Sequence, residues 1–442
     1  MDELKTIVFH KSHDALLNEL DWLINQSEEL DKAWNVKVRE FVLPEIKCIT
    51  QYKGYLVKTK EMIASWKEMQ SNYYDIYNLR TIFSYLLQAY HEGISNIGLT
   101  TTNDPYTLAT NIPHTFTIAI SAASRIMEDY CGNLMGKNDK LWNGYIVTTH
   151  GRDVELYPIC QVMGVPRYYL LSIPSIAIPV LSHEASHLIQ RANGFYSFPL
   201  LLLTRGILKS FKQHDYRKDM PVIFIRHCEE IVADIGGIIA GGPASLFSHT
   251  LFLLKSTNSY MKDDDLLKIG YLPVYPRILI AYYTSKILVK NKKWKEHWLS
   301  DVEKLVIAGN KSFLDLIKHC EDENGNFKGL QDWNFFESCV KYISEFYYEC
   351  NATYSPHKDP CLSPEKVDEI SNEIYSNLKS GNMVQIDTHL PRYIVTSLFE
   401  IMIHEKNKRL QSEYSDSQKW HHLIPLWLHY LAAWNGLEKR QQ

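Results

Sequence analysis

The sequence predicts a mainly α-helical protein of α+β class, with a small antiparallel β-meander at its centre and helical regions on both sides. Three observations predict it. Apolar residues recur at helical spacing through the first hundred residues, as in Leu16-Leu17-Leu20-Leu23-Ile24 and Ile76-Leu79-Phe83-Leu86-Leu87-Tyr90. The texture then changes between Asn143 and Ser172, where short β-prone runs alternate with turn residues. From about 276 onward the helical spacing returns and continues toward the C-terminus.

The elements follow in order. Residues 1–98 read as helices, 99–114 as a Thr/Asn/Pro loop and 115–132 as a further helix. The strands are predicted at Gly144 to Thr149, Asp153 to Ile159 and Arg167 to Ile173. His150-Gly151-Arg152 and Met163-Gly164-Val165-Pro166 supply the turns. A helix is expected over about 179–192, with Pro179 in its first turn and Gly194 past its end. Another is expected over about 221–240, stopping at Gly241-Gly242-Pro243. Further helices are expected at Leu279 to Val289, Asp301 to Lys318, Trp333 to Tyr348, Ser363 to Lys379, Pro391 to Glu405 and His422 to Asn435. The expected division is 1–135 (N-terminal helical), 136–290 (core) and 291–442 (C-terminal helical).

Composition narrows the function. With 47 basic and 51 acidic residues the formal charge is −4, which argues against nucleic acid or an anionic membrane as partner. The N-terminus, MDELKTIVFHKSHDALLNELDW, reads as lacking a signal peptide. The apolar stretch from Tyr168 to Leu181 is broken by Pro174 and Pro179 and too short to span a membrane. Eight scattered cysteines read as reduced thiols. The expectation is a cytoplasmic protein.

Chemistry concentrates in His183-Glu184-Ala185-Ser186-His187. On a helix, positions i and i+4 share a face with Cβ atoms about 5–6 Å apart, so two imidazoles can meet one ion. Glu184 is turned about 100° away, beside such an ion without ligating it. There it can take a proton from water and pass it to a leaving nitrogen. A third ligand is offered by Glu230-Ile231-Val232-Ala233-Asp234. Glu230 can complete the metal set, and Asp234 one turn on can accept the free ring N–H of a ligand histidine. Asp234 stands among apolar residues, where a carboxylate needs a partner. Ala233, Gly236, Gly237, Ala240 and Gly241 would let the two helices approach closely. Glu229 competes with Glu230, but only Glu230 stands four residues before Asp234. The donor set fits one Zn2+ per chain.

Together the two motifs resemble the gluzincin clan of zinc metallopeptidases, which pair His-Glu-x-x-His with a later Glu-x-x-x-Asp. The Glu-x-x-Ala-Asp form is also similar to that of a membrane-embedded group of zinc peptidases. The resemblance covers about residues 175–245. It implies a zincin-like catalytic core, His183, His187 and Glu230 as zinc ligands, Glu184 as general base and acid, Asp234 as the partner of a ligand histidine, and a peptide or protein substrate. Endopeptidase activity is expected, since the Gly-x-Met-Glu-Asn stretch of aminopeptidases is missing. A metzincin would need other residues at Gln190 and Asn193. The context of Cys160 departs from that of the peptide deformylases. For an oxyanion stabiliser the candidates are Tyr275 and Arg277, with Tyr271 nearby, and His227 one turn before Glu230. Cys339, Cys350, His357 and Cys361 have irregular spacing for a second zinc site. The alternative reading is a zincin-like scaffold with a structural or vestigial metal site, acting in protein interaction.

Overall fold

In the computed structural model, the residues described are 2–37, 47–65, 79–87, 123, 126–131, 142, 145–149, 154–157, 161–166, 174–192, 221–256, 274–309, 333–351, 362–380 and 391–403. These are mostly helical, with one three-stranded sheet. The chain divides into two compact units, the first of residues 1–120 and 143–167, the second of 121–142 and 168–442.

In the first unit, α1 (Asp2–Lys37) packs along α2 (Lys47–Ala64). Leu20, Leu23 and Leu30 of α1 meet Ile49, Tyr52, Leu56 and Ile63 of α2. Their spacing near 3.6 places each set on one face, as the sequence predicts for α1. The helical residues 79–87 add Leu79, Ile82, Phe83 and Leu86 to the same core. The Tyr52 hydroxyl donates to the Leu79 carbonyl at 2.6 Å.

The strands are β1 (Tyr145–Thr149), β2 (Glu155–Tyr157) and β3 (Val162–Pro166). Their order is β1-β3-β2, with β3 parallel to β1 and antiparallel to β2. Tyr145 faces Val162 and Glu155 faces Gly164. Two expectations are corrected here. The sheet is mixed, not an antiparallel meander. Met163-Gly164-Val165-Pro166, read as a turn, forms the central strand. It is buried throughout, so packing and two ladders outweigh the local turn chemistry of Gly164 and Pro166. Pro166 ends the strand, where its missing N–H costs least. The reversal before β3 falls instead at Gln161, which takes a φ of 51°. The strand expected at Arg167 to Ile173 lies outside the described residues.

The second unit is organised around two helices. α3 (Pro174–Ala192) begins five residues earlier than the sequence predicts, with Pro174 at the first position that the reading gave to Pro179. α4 (Pro221–Ser256) contains the expected stop: Gly242 has φ 67° and ψ −159°. The chain then resumes as a second helical segment at Pro243, which the sequence reading did not anticipate. The stretch His227–Thr250 is long and apolar enough to cross a membrane, but here it is a core element, 94% buried over its most apolar window.

Around α4 lie α5 (Val274–Lys290), α6 (Glu296–Gly309), α7 (Trp333–Asn351) and α9 (Pro391–Ile403), while α8 (Pro364–Ser380) packs on α9. The helices expected at Trp333 to Tyr348, Ser363 to Lys379 and Pro391 to Glu405 correspond to α7, α8 and α9 within a few residues, whereas α5 and α6 each begin five residues earlier than expected and residues 310–318 lie outside the described ones. The one expected at His422 to Asn435 lies outside the described residues. Glu400 of α9 ties three helices together. It accepts from Lys295 at 2.9 Å, from Trp298 Nε1 at 3.2 Å and from Ser371 at 3.0 Å. Cys131, Cys228 and Cys339 are buried and form no disulfide among the described residues.

Candidate metal centre

α3 carries His183, Glu184 and His187, and α4 carries Glu230 and Asp234. The two helices meet closely because small residues line the seam. A Cβ on Gly237 would lie 3.0 Å from both the Cα and the N of His183. One on Gly241 would overlap the hydroxyls of Ser245 and Ser182, which bond to each other at 2.9 Å. Backbone packs on backbone here, which brings a Glu side chain of α4 within reach of histidines on α3.

The histidine Nε2 atoms of His183 and His187 stand 3.2 Å apart. Glu230 Oε2 is 3.5 Å from His183 Nε2, and Glu230 Oε1 is 3.5 Å from His187 Nε2. Ligands on a tetrahedral ion with bonds of ~2.0–2.1 Å lie about 3.3 Å from one another. The three side chains therefore stand near the separations a single small cation requires. Their exposure is only 10–16%.

Asp234 sits behind them. Its Oδ1 is 3.0 Å from His183 Nδ1, while Nε2 of that ring faces His187 and Glu230. The same oxygen is 3.1 Å from His249 Nε2 and 2.7 Å from Arg277 Nη2. Both imidazole approaches are off the N–H axis, whereas Arg277 forks squarely onto the carboxylate, with Nε 2.9 Å from Oδ2. Arg277 Nη2 also lies 3.0 Å from Glu230 Oε2 and 3.4 Å from His183 Nε2.

A second trio, His183, Asp234 and His249, is also close enough to hold an ion. Arg277 stands beside both trios, with Nη2 3.0 Å from Glu230 Oε2 as well as on Asp234. The difference is in the oxygens: its guanidinium occupies both of Asp234, whereas Glu230 keeps Oε1 turned to His187 at 3.5 Å. His183, His187 and Glu230 are the better metal set.

The charges follow from this packing. Burial pushes the Glu230 carboxyl up, but Arg277 and the bonds from His183 and His187 outweigh it and hold it well below the usual range. Asp234 is likewise held well below by Arg277 and His249 against the effect of burial. Burial pulls His183 down, yet bonds to Asp234 and Glu230 and the Asp234 charge carry it up to about 10. His249, with burial dominant, is lowered. Glu184 is raised by burial, opposed by the charges of His183 and His187.

The structure brings together His183, Glu184, His187, Glu230, Asp234 and Arg277. The backbone carbonyl of Glu229 accepts from Gln190 Nε2 at 3.3 Å. His227 is fully buried on α4. The side chains of Tyr275 and Cys350, and the residues Tyr271, Cys160, His357 and Cys361, lie outside what is described; Cys339 is buried in α7.

His249 is the residue that sequence reasoning missed. It lies 15 positions after Asp234, about 22 Å along an unbroken helix. The break at Gly242 turns the chain back, so His249 stacks on His183 with ring centroids 5.5 Å apart. A signal existed: a lone histidine in LFSHTLFLL is a polar group in an apolar run, the same argument that singles out Asp234. Compared with protein-family models, curated proteins and solved structures, the chain matches none of them.

Proposed function

We propose that the chain is a zinc-dependent peptidase in which His183, His187 and Glu230 hold one zinc ion and Glu184 acts as general base and acid. The observation that carries this reading is the set of ligand-atom separations, 3.2, 3.5 and 3.5 Å, with the half-buried carboxylate of Glu184 next to His183 on the same helix. Two imidazoles and one carboxylate, with a further position left open, form a donor set typical of catalytic zinc. The resemblance of both motifs to the gluzincin peptidases points the same way, and a zincin-like core is the fold proposed for α3 and α4.

Zinc bound at this site supplies Lewis acidity toward a carbonyl oxygen and toward water. Glu184 accepts a proton from the attacking water at a carboxylate oxygen and delivers it to the leaving nitrogen. Asp234 orients His183 through Nδ1, and Arg277 holds Asp234 in turn. The proposed substrate is a peptide or protein, and the proposed compartment is the cytoplasm.

Metal analysis and cleavage of a peptide library test the reading. Glu184→Gln keeps one zinc per chain and loses about 100- to 10,000-fold in cleavage rate. His187→Ala loses the zinc. Zinc retained by a wild-type chain that cleaves nothing would favour the scaffold reading instead.

A further inference from the structure

We infer that Arg277 is the residue through which this site takes a carboxylate of its substrate, a proposal that rests on the peptidase reading above. Arg277 is 8% exposed. Its Nε and Nη2 are engaged by Asp234 and Glu230. Its Nη1 carries no bond among the described residues and keeps contact with solvent on a side chain that is otherwise 10% exposed. A donor at such an opening is one that an acceptor on a ligand can reach. The fork onto Asp234 fixes the plane of the guanidinium, so the open edge is held in one orientation.

That edge belongs to the reaction site. Nη2 of the same guanidinium lies 3.4 Å from His183 Nε2, a ligand atom, and Glu184 is among the charges that Arg277 feels. An acceptor bound at Nη1 therefore lies beside the metal position. Asp234 and Glu230 already offset the Arg277 charge, so recognition runs through directed N–H donors more than through net field. A planar, charged acceptor suits such donors best, and in a peptide that acceptor is a carboxylate. The C-terminus and an acidic side chain supply the same chemistry.

The test measures binding to zinc-loaded Glu184→Gln, whose reduced cleavage rate leaves the probes intact during the measurement. Three pools of short N-acetylated peptides serve as probes. One pool lacks Asp and Glu and ends in a free carboxylate. The second is the same with an amidated end. The third is amidated and carries one Glu. One carboxylate-bearing pool should bind roughly 10- to 100-fold tighter than the second pool. Preference for the first identifies the C-terminus, and preference for the third identifies an acidic side chain.

The gap should close in Glu184→Gln/Arg277→Gln and shrink in Glu184→Gln/Arg277→Lys, which keeps a charge but not the fork. Because a carboxylate can also ligate zinc, the pool comparison is repeated on metal-free Glu184→Gln, where a gap that persists belongs to Arg277 and one that vanishes overturns the assignment, so a misfolded double variant leaves the test decisive. Equal binding of all three pools, or a gap that survives in a folded Arg277→Gln variant, would overturn the assignment. If the wild type holds zinc and cleaves all three pools at equal rates, the peptidase reading stands and the role of Arg277 falls. If it holds no zinc, the peptidase reading itself fails.

Discussion

His183 couples everything in the site, because its two ring nitrogens face different groups. Nε2 faces His187 and Glu230, and Nδ1 faces Asp234. A pH dependence follows for the metal-free protein. The folded pKa of His183, about 10, lies above the value of about 6.5 for an unfolded chain. Its stabilisation is complete below about 6.5 and is lost as pH rises toward 10. Asp234 and Glu230 have depressed values, so their contribution is present above about 4.5 and is lost on further acidification. Metal-free protein should weaken above about pH 6.5, no more steeply than about 1.4 kcal/mol per pH unit for one proton, while below it the lowered His249, neutral in the fold, offsets part of the gain from His183. Zinc competes with that proton, so its stabilising effect should grow over the same range. Melting curves in chelator and in zinc, from pH 5 to 9, check both slopes. A metal-free protein that gains stability from pH 6.5 to 9 would contradict this.

At the scale of elements, the site depends on how closely α3 and α4 approach. Gly237→Ala places a methyl 3.0 Å from the His183 backbone, where no flexible side chain can give way. The helices must separate, costing about 1–3 kcal/mol as in other overpacked cores. The separation also pulls Glu230 away from the histidines, so zinc affinity should fall at least about tenfold. Gly54 of α2 serves as a control: a Cβ there meets nothing within 4 Å. Gly54→Ala should stabilise by up to about 1 kcal/mol through helix propensity and leave zinc affinity unchanged. Calorimetry with zinc competition separates the two. A Gly237→Ala protein with unaltered zinc affinity would show that the seam does not position the ligands.

Across the whole molecule, what the sequence shows plainly is local. The i, i+4 registers of His183 with His187 and of Glu230 with Asp234 sit within single helices, and their periodicity is visible in a line of text. The apolar spacing of α1, with Leu20 and Leu23 inward, is equally visible. What the sequence hides is non-local. The order β1-β3-β2 depends on which strand the first unit buries on both faces, and the turn-like residues Gly164 and Pro166 conceal that. The return of His249 to Asp234 depends on the direction the chain takes after Gly242, which a glycine permits but does not specify. Arg277 reaches the site from a third helix, 43 residues after Asp234, and only packing brings it there.

The central claim is that one zinc ion sits on His183, His187 and Glu230. X-ray absorption at the zinc edge, on protein purified without chelators, tests it most directly. The account predicts one zinc per chain with imidazole nitrogen and carboxylate oxygen at ~2.0–2.1 Å and no sulfur near ~2.3 Å. That shell should survive His249→Ala and vanish in His187→Ala. Protein that holds no zinc, or a shell that loses a nitrogen in His249→Ala and keeps it in His187→Ala, would contradict the account.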